Sequence, residues 1–531
     1  MEPKSEILLS TLIASIPRGV VITHRPTSYN LDIPVTGIAL DSRKVEPGNI
    51  FVALRGEHSD GHRFIPQAIQ RGAVAIVGTE NDPNFSIPFF MVSDARLALA
   101  YLSTAFYRFP AHQMTIIGIT GTDGKTTTAH LIYQILVKSG LKAGMITTVN
   151  AVLGDEIVDT GFHVTTPEAP DIQKFLAWMA YNPSYSARYI VLESTSHGLD
   201  QDRVSQCEFD IGVITNITHE HLDYHKSFEA YRDAKARLFK HLAATPTKTQ
   251  GNVRLAVLNR DDASYEYLST LVDKLAPKVQ RLSYGFHHHA DIRAENIRYI
   301  QGYQQFEIVQ GKERIEVQTR LLGIHNVSNC LAAYTTTVAG VGIKPSFAKE
   351  GLETLPSIPG RLESIEMGQN FIAMVDFAHT PNALKKILEL TRTLVKGRVL
   401  AIFGSAGLRD REKRRMMAEI AAQMADITIL TAEDPRTESV DDILNEMALG
   451  LEKFNGREGK TYWRIPDRRE AIRMGVNLAR EDDLVIALGK GHEQSMCFGE
   501  IEYPWDDRVA MRAALAERLG IQGPAMPYLP G

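Results

Sequence analysis

Glycines, one lysine and consecutive threonines crowd the run GITGTDGKTTT, from Gly118 to Thr128. It lies between an apolar stretch that reads as a strand, Thr115–Ile119, and an amphipathic stretch that reads as a helix, Thr127–Lys138. A strand-to-helix turn of this composition can grip a triphosphate, because exposed backbone N–H groups and the positive end of the helix dipole face the phosphate oxygens. Lys125 then reaches the β and γ phosphates and the Thr126 hydroxyl sits on a magnesium ion. The spacing is a variant of the common GxxxxGK[ST] pattern, which would place a glycine at Ile119; Gly118 and Gly121 flank that position instead.

Two more side chains suit a magnesium site beside phosphate. Glu193 ends the apolar run Tyr189–Glu193, and His221 lies in NITHEHLDYH after the run Ile211–Ile217. A zinc cluster of His219, His221 and His225 is the competing reading, but its spacing is not a simple i, i+4 pair and no fourth ligand is apparent. Lys235 falls in a predicted helix, Phe228–Leu242, on the same face as Tyr231, Leu238 and Leu242. A lysine on an apolar stripe either reaches back to water or is a functional amine that desolvation makes easier to deprotonate.

The elements that must position these groups follow from the apolar runs. Up to about Pro110 the chain reads as a small α/β unit, and a second unit begins at the glycine-rich loop. Near Ile358 the sequence loses long apolar runs and gains prolines and glycine, which marks a boundary. Beyond it, strand-like runs at Phe371–Val375, Val399–Phe403, Ile427–Leu430 and Leu484–Leu488 are followed at once by DFAHTPN, GSAGLRDREKRR, TAEDPRTE and GKGHE. In a parallel α/β sheet those four polar tails emerge on one edge and converge into one crevice.

Composition bounds the partners. The 531 residues are 44% hydrophobic and 23% charged, an ordinary soluble composition sufficient for several domains. A net charge of -5 argues against a nucleic-acid partner held by bulk electrostatics. The cysteines Cys207, Cys330 and Cys497 are far apart and show neither disulfide-framework nor zinc spacing, which fits a reducing cytoplasm. The apolar stretch Ile7–Ile16 reads as a packed N-terminal helix rather than a signal core, and no run is long enough to span a bilayer. A cytoplasmic monomer with no membrane partner is expected.

In chain order, GITGTDGKTTT, ESTSHGL with QDRV, NITHEHLDYH, YRDAKARLF, GIHNVSNCLAA, PGRLE, DFAHTPNAL, LRDREKRRMM, EDPRTE and GKGHE resemble the motif series of the Mur ligases, most of all the MurE group. The resemblance extends from DSR at Asp41 to DDR at Asp507. It implies an α/β protein of three domains: a UDP-binding domain over 1–110, a central P-loop ATPase-like parallel-sheet domain over 111–357 and a Rossmann-like domain over 358–531. The activity it implies is ATP-dependent amide formation. A third residue, meso-diaminopimelate or alternatively L-lysine or L-ornithine, would be added to UDP-N-acetylmuramoyl-L-alanyl-D-glutamate in peptidoglycan synthesis, with ATP as co-substrate and two magnesium ions.

Site roles follow from the same resemblance. Gly121, Thr122, Asp123, Gly124, Lys125, Thr126 and Thr127 would bind ATP, with Asn326, Arg361 and Asp376 on the nucleotide across the domain junction. Lys235 would be carbamylated and would ligate a second magnesium alongside Glu193 and His221. Ser42 and His58 would meet the uridine nucleotide; Thr165, Thr166, Thr195, Gln201 and Arg203 would hold the muramoyl peptide. Arg409, the loop Glu433, Asp434, Pro435 and Arg436, then Gly489 and Glu493 would receive the amino acid.

The sequence departs from the family pattern at several of these positions. Asp123 replaces a usual Asn, Val164 and Thr195 replace Asn and Ser, Leu408 replaces an acid, Glu57 with His58 replaces His-Gln, and Glu433-Asp434-Pro435-Arg436 replaces Asp-Asn-Pro-Arg. Arg409 and Arg436 form a fork for the far carboxylate of diaminopimelate. Asp434 pulls the other way, toward the terminal ammonium of lysine or ornithine, unless Arg436 neutralises it. A folylpolyglutamate-type ligase is disfavoured by DSR and GKGHE, and a non-catalytic nucleotide switch leaves Lys235 and the arginine-rich crevice without a role.

Overall fold

Runs such as Val399–Phe403 and Leu484–Leu488 are apolar without alternation, the pattern of parallel strands covered on both faces. In the computed structural model these two are adjacent parallel strands. The structure describes residues 7–530 apart from 18, 21, 25–28, 57–58, 81–84, 149, 155, 159–165, 219, 221, 276–277 and 301. The chain forms two compact units: Met1–Glu295 with Glu307–Glu316 and Ser328–Leu352, and Asn296–Phe306 with Val317–Val327 and Glu353–Gly531.

The first unit contains a small sheet and a large one. The small sheet runs Ile22–His24, Phe89–Val92, Ala75–Gly78, Asn49–Val52, Gly37–Ala39, its last four strands parallel. Its core joins Ile50, Val52, Val77 and Phe90 to Leu99 and Leu102 of the helix Ala95–Phe106. The large sheet places Thr115–Thr120 between Tyr189–Glu193 and Phe209–Ile214, with Ala143–Ile146 on one side and Leu255–Asn259 on the other. All these strands are parallel, and those that follow Thr115–Thr120 are added first on one side of it and then on the other, so the glycine loop opens at the switch point, where α/β sheets bind ligands.

The second unit has the strand order Glu363–Ser364, Ile372–Asp376, Leu484–Leu488, Val399–Phe403, Ile427–Leu430, Tyr462–Arg464, parallel from the second strand onward. Both faces are packed: Leu400, Ile402, Ile429 and Val485 fill one core, and Ala401, Phe403, Leu430 and Ile486 the other. The four polar tails therefore leave the same edge, as the sequence predicts.

Several boundaries differ from expectation. The helix after the glycine loop begins at Lys125, two residues earlier, because Gly124 takes φ 82° and caps it. The strand expected at Ile211–Ile217 is Phe209–Ile214, since Thr215 and Asn216 bond the glycine loop instead. The N-terminal segment is a strand, Ile7–Leu8, and a shorter helix, Leu9–Ala14. Among the described residues no helix is long and apolar enough to cross a membrane, and all three cysteines are free.

Candidate active site

The first cluster is built around the glycine loop. Gly121 packs so tightly that an added Cβ would stand 1.8 Å from Thr215 Oγ1, and one at Gly124 would stand 2.4 Å from Asn329 Oδ1. Thr215 Oγ1 and Asn216 Nδ2 donate to Asp123 O at 2.6 and 3.0 Å, and Asn216 Oδ1 accepts Asp123 N at 3.0 Å, so the loop is held by its neighbours before any ligand arrives. Gly118 has a different task. A Cβ there would meet Phe209 and Leu238 at 2.5 to 2.8 Å, so its absence lets the helix Phe228–Ala244, which carries Lys235, lie close on the sheet.

Two ammonium groups converge on this loop. Lys125 Nζ donates to Thr122 O at 2.8 Å and to Gly121 O at 3.2 Å. Lys235 Nζ, on a side chain only 2% exposed, donates to the same Gly121 O at 2.6 Å and lies 4.4 Å from the centre of the Tyr231 ring. Among the described residues neither lysine has an ion-pair partner. Burial first, then the charge of Lys125, holds the Lys235 pKa well below that of an ordinary lysine. Lys235 does not reach back to water.

Beside them, the buried Glu193 accepts the Thr126 hydroxyl at 3.1 and 3.0 Å on its two oxygens. A hydroxyl and a carboxylate adjacent at a phosphate-binding turn form a hard-oxygen donor set that fits magnesium. His221 and His219 lie outside the described residues. His225 is buried, with its ring 5.3 Å from that of Tyr231 and 5.4 Å from that of His197.

A polar group adjoins the end of the same strand. Thr166 Oγ1 accepts Thr195 N at 2.9 Å and Thr195 Oγ1 at 3.0 Å. Arg203 donates to Thr166 O at 2.8 Å and to Gln201 Oε1 at 2.8 and 3.2 Å, so four of the residues read as peptide-binding stand together. Thr165 and His58 lie outside the described residues. Ser42 is buried and donates inward to Gln67 Oε1 at 2.7 Å.

The second cluster lies along the carboxyl edge of the second unit's sheet. Asp376 accepts Ala378 N and Leu362 N, both at 2.7 Å, beside Arg361, whose guanidinium lies 4.5 Å from the Phe377 ring centre. Asn326, in the first turn of the helix Ile324–Tyr334, donates to Leu322 O at 2.8 Å. Glu433 is buried against Gly489; a Cβ on that glycine, whose φ is 106°, would stand 2.4 Å from Glu433 Oε2. This oxygen has no hydrogen-bond partner among the described residues, and burial pushes the carboxyl pKa up to about 7 against the pull of Lys413 and Arg468.

Asp434 corrects a sequence expectation. Its neutralising partner is Lys490, not Arg436: Lys490 Nζ donates to the two Asp434 oxygens at 2.9 and 3.0 Å, and Cys497 N donates to Oδ1 at 3.0 Å. Lys490 also bonds Glu493 Oε2 at 2.5 Å. Burial alone would depress this ammonium, but the Glu493 and Asp434 carboxylates outweigh it and hold its pKa above the ordinary lysine value. Arg409 is exposed and Arg436 half-buried, and neither has an ion-pair partner among the described residues.

Residues that sequence reading did not assign hold this edge in shape. Arg414, buried, donates to Glu438 Oε2 at 2.6 Å and Glu446 Oε2 at 2.9 Å, while Glu438 Oε1 accepts Leu408 N at 2.8 Å. Gly407 N donates to Asp434 O at 3.0 Å, so the loops carrying Arg409 and Arg436 are tied together. Leu408, Asp434 and Arg436 have φ of 57°, 41° and 54°, a conformation costly for these residues and held by that network. Arg468 donates to Ala432 O at 3.1 Å and Leu488 O at 2.9 Å, anchored by Asp507 at 2.7 and 2.6 Å. Nothing local in the sequence separates these buried arginines from surface ones; only Lys490, inside GKGHE, carried a signal.

Comparison with known proteins bears on the whole chain. The Mur ligase family catalytic domain matches residues 34–107, the Mur ligase middle domain 119–337 and the Mur ligase glutamate ligase domain 360–491. A UDP-N-acetylmuramyl-tripeptide synthetase of Roseiflexus sp. is 43% identical over 92% of this chain and 96% of that protein. A UDP-N-acetylmuramoyl-L-alanyl-D-glutamate–2,6-diaminopimelate ligase of Geobacillus thermodenitrificans is 38% identical over 96% of this chain and 99% of its own length. A solved structure of a ligase of that same name is similar with a TM-score of 0.64 at 28% identity, covering 97% of this chain and all of the other.

Proposed function

The chain belongs to the Mur ligase family, and on that premise we propose that it joins meso-diaminopimelate to the D-glutamyl carboxylate of UDP-N-acetylmuramoyl-L-alanyl-D-glutamate at the expense of ATP. One observation carries the reading: two lysines meet at one carbonyl of the glycine loop and, among the described residues, neither forms an ion pair, which suits an anion such as phosphate. The naming of several relatives as diaminopimelate ligases supports the amino acid. So do Arg409 and Arg436, which have no ion-pair partner among the described residues, beside an Asp434 whose charge Lys490 already takes up.

In the reaction the glutamyl carboxylate attacks the γ-phosphorus, ADP leaves, and an acyl phosphate forms. The amine then adds to the acyl carbon, and phosphate leaves with the C–N bond made. Lys125 stabilises the charge spread over the transferring phosphoryl group, while the braced loop and the helix N-terminus hold it in place. Magnesium, when bound, supplies further charge neutralisation on the phosphate oxygens; Thr126 and Glu193 would hold one ion, and Glu193, His221 and a carbamylated Lys235 the second. A buried lysine with a depressed pKa is the right precursor, since its neutral amine adds to carbon dioxide and releases one proton to give the carbamate.

Thr165, Thr166, Thr195, Gln201 and Arg203 hold the muramoyl peptide in this reading, and Ser42 with His58 the uridine nucleotide. Asn326, Arg361 and Asp376 serve ATP; Arg409, Glu433 to Arg436, Gly489 and Glu493 take the amino acid. The domains are assigned as 1–110, 111–357 and 358–531, and the protein as a cytoplasmic monomer. The test is incubation with UDP-muramoyl-dipeptide, ATP, magnesium and a panel of diamino acids, with products read by mass. A tripeptide product containing diaminopimelate is expected; absence of any amide product refutes the ligase reading.

A further inference from the structure

The ammonium of Lys490 is 1% exposed on its residue and touches three carboxylate oxygens, two of Asp434 and one of Glu493, at 2.9, 3.0 and 2.5 Å. An ammonium has three donor hydrogens and no acceptor, so these contacts exhaust it. Asp434 is equally committed, because its Oδ1 also takes Cys497 N and its backbone O takes Gly407 N. Arg409 and Arg436, on the loops so joined, keep their charge for something else.

We propose that Lys490 is the specificity-determining residue of the amino-acid site. By binding both oxygens of Asp434 it silences a charge that would repel a distal carboxylate and attract a distal ammonium, so the loop selects a diamino acid ending in a carboxylate. This rests on the ligase reading above. The part Lys490 plays in selectivity is to remove a repulsion, not to add a contact. An amide at position 434 would need no such partner; an aspartate does.

The test compares diaminopimelate with lysine in the parent protein, Lys490→Gln, Lys490→Arg, Asp434→Asn and the double variant Lys490→Gln/Asp434→Asn. It uses kcat/KM for each amino acid and, without ATP, calorimetric binding of each. Lys490→Gln lowers the diaminopimelate-to-lysine ratio ~10–100-fold, chiefly through KM for diaminopimelate and with KM for ATP unchanged, because a freed like charge then faces the distal carboxylate. Lys490→Arg keeps the ratio within about threefold, and the double variant restores it.

A Lys490→Gln ratio equal to the parent's, or a double variant as low as the single, overturns the proposal. If Lys490→Gln does not fold, Asp434→Asn decides alone: a silenced charge can be removed with less than about threefold change, whereas a rise of about tenfold or more shows that Asp434 was never silenced. Absence of turnover in the parent with any amino acid strikes the ligase reading, while the binding ratios still decide the role of Lys490.

Discussion

Lys235 and Lys490 are both buried ammonium groups, yet their surroundings are opposite. Lys235 has one carbonyl and an aromatic face, with a second lysine on the same carbonyl. Lys490 has two carboxylates. In the first cluster neither lysine forms an ion pair among the described residues, and the two like charges share one acceptor. In the second, the buried ammonium is paired with two carboxylates, and Arg409 and Arg436 have no ion-pair partner among the described residues. The first cluster thus sets two like charges on one carbonyl, whereas the second pairs its buried ammonium and carries its cost in the backbone of Leu408, Asp434 and Arg436.

The largest effects should come from the uncompensated cluster. Lys125→Ala is expected to lower turnover by about 10³-fold or more with the fold intact by circular dichroism, since it removes charge stabilisation at the transferring phosphoryl group. Near-normal product formation by the folded variant would break the comparison at its root.

Lys235 sharpens it, because activity and stability should move in opposite directions. Lys235→Ala is expected to be inactive and partly restored by acetate, which supplies the missing carboxylate. Lys235→Met is expected to be inactive but more stable than the parent by about 1–4 kcal/mol in denaturant unfolding, because a buried amine without an ion-pair partner is replaced by an apolar chain. The sign follows from the depressed pKa: the unfolded lysine is charged below about pH 10 and the folded one resists charging, so the parent loses stability as pH falls through that range and the variant does not. A destabilised Lys235→Met would mean that the ammonium is well accommodated.

At the balanced cluster the effects are smaller and concern choice. Arg436→Ala should lower the specificity-constant ratio of diaminopimelate over lysine by about 10–100-fold, the worth of a charge-assisted contact. An unchanged ratio would leave the distal carboxylate unclaimed by this loop.

Glu433 gives the smallest signal. Its carboxyl pKa, about 7, stands above the unfolded value, so stability is full below about pH 4.5 and falls as pH rises toward 7. Between pH 6 and pH 8 the ligand-free parent should lose about 1 kcal/mol that Glu433→Gln does not lose. A parent and variant with parallel pH profiles would place Glu433 as an ordinary ionised carboxylate.

Much of this arrangement was legible in the sequence. The glycine loop, Glu193 and the apolar-face lysine were readable because each combines an unusual residue type with an element boundary. The four tails of the second unit's sheet were readable because continuous apolar runs fix parallel strands and hence one common edge. What escaped were pairings across long sequence separation: Lys490 with Asp434, 56 residues apart, and Arg468 with Asp507, 39 apart. Periodicity reports which face a residue takes, not which distant charge it meets there, so Arg436 seemed the natural partner of Asp434 from proximity in sequence alone.

The Arg468–Asp507 pair carries a consequence for how the protein is made. Ala432 and Leu488, whose carbonyls Arg468 clamps, are both translated before Asp507, the first residue of the helix Asp507–Leu519. During synthesis both carbonyls held by Arg468 at this sheet edge exist before its counter-ion does. A nascent chain stalled short of that helix buries an arginine with no carboxylate, a defect of about 3–5 kcal/mol. Pairing of Arg468 is thereby postponed until the closing helix has emerged, and chains cut short in the second unit should be marked for proteolysis by their own unpaired charge.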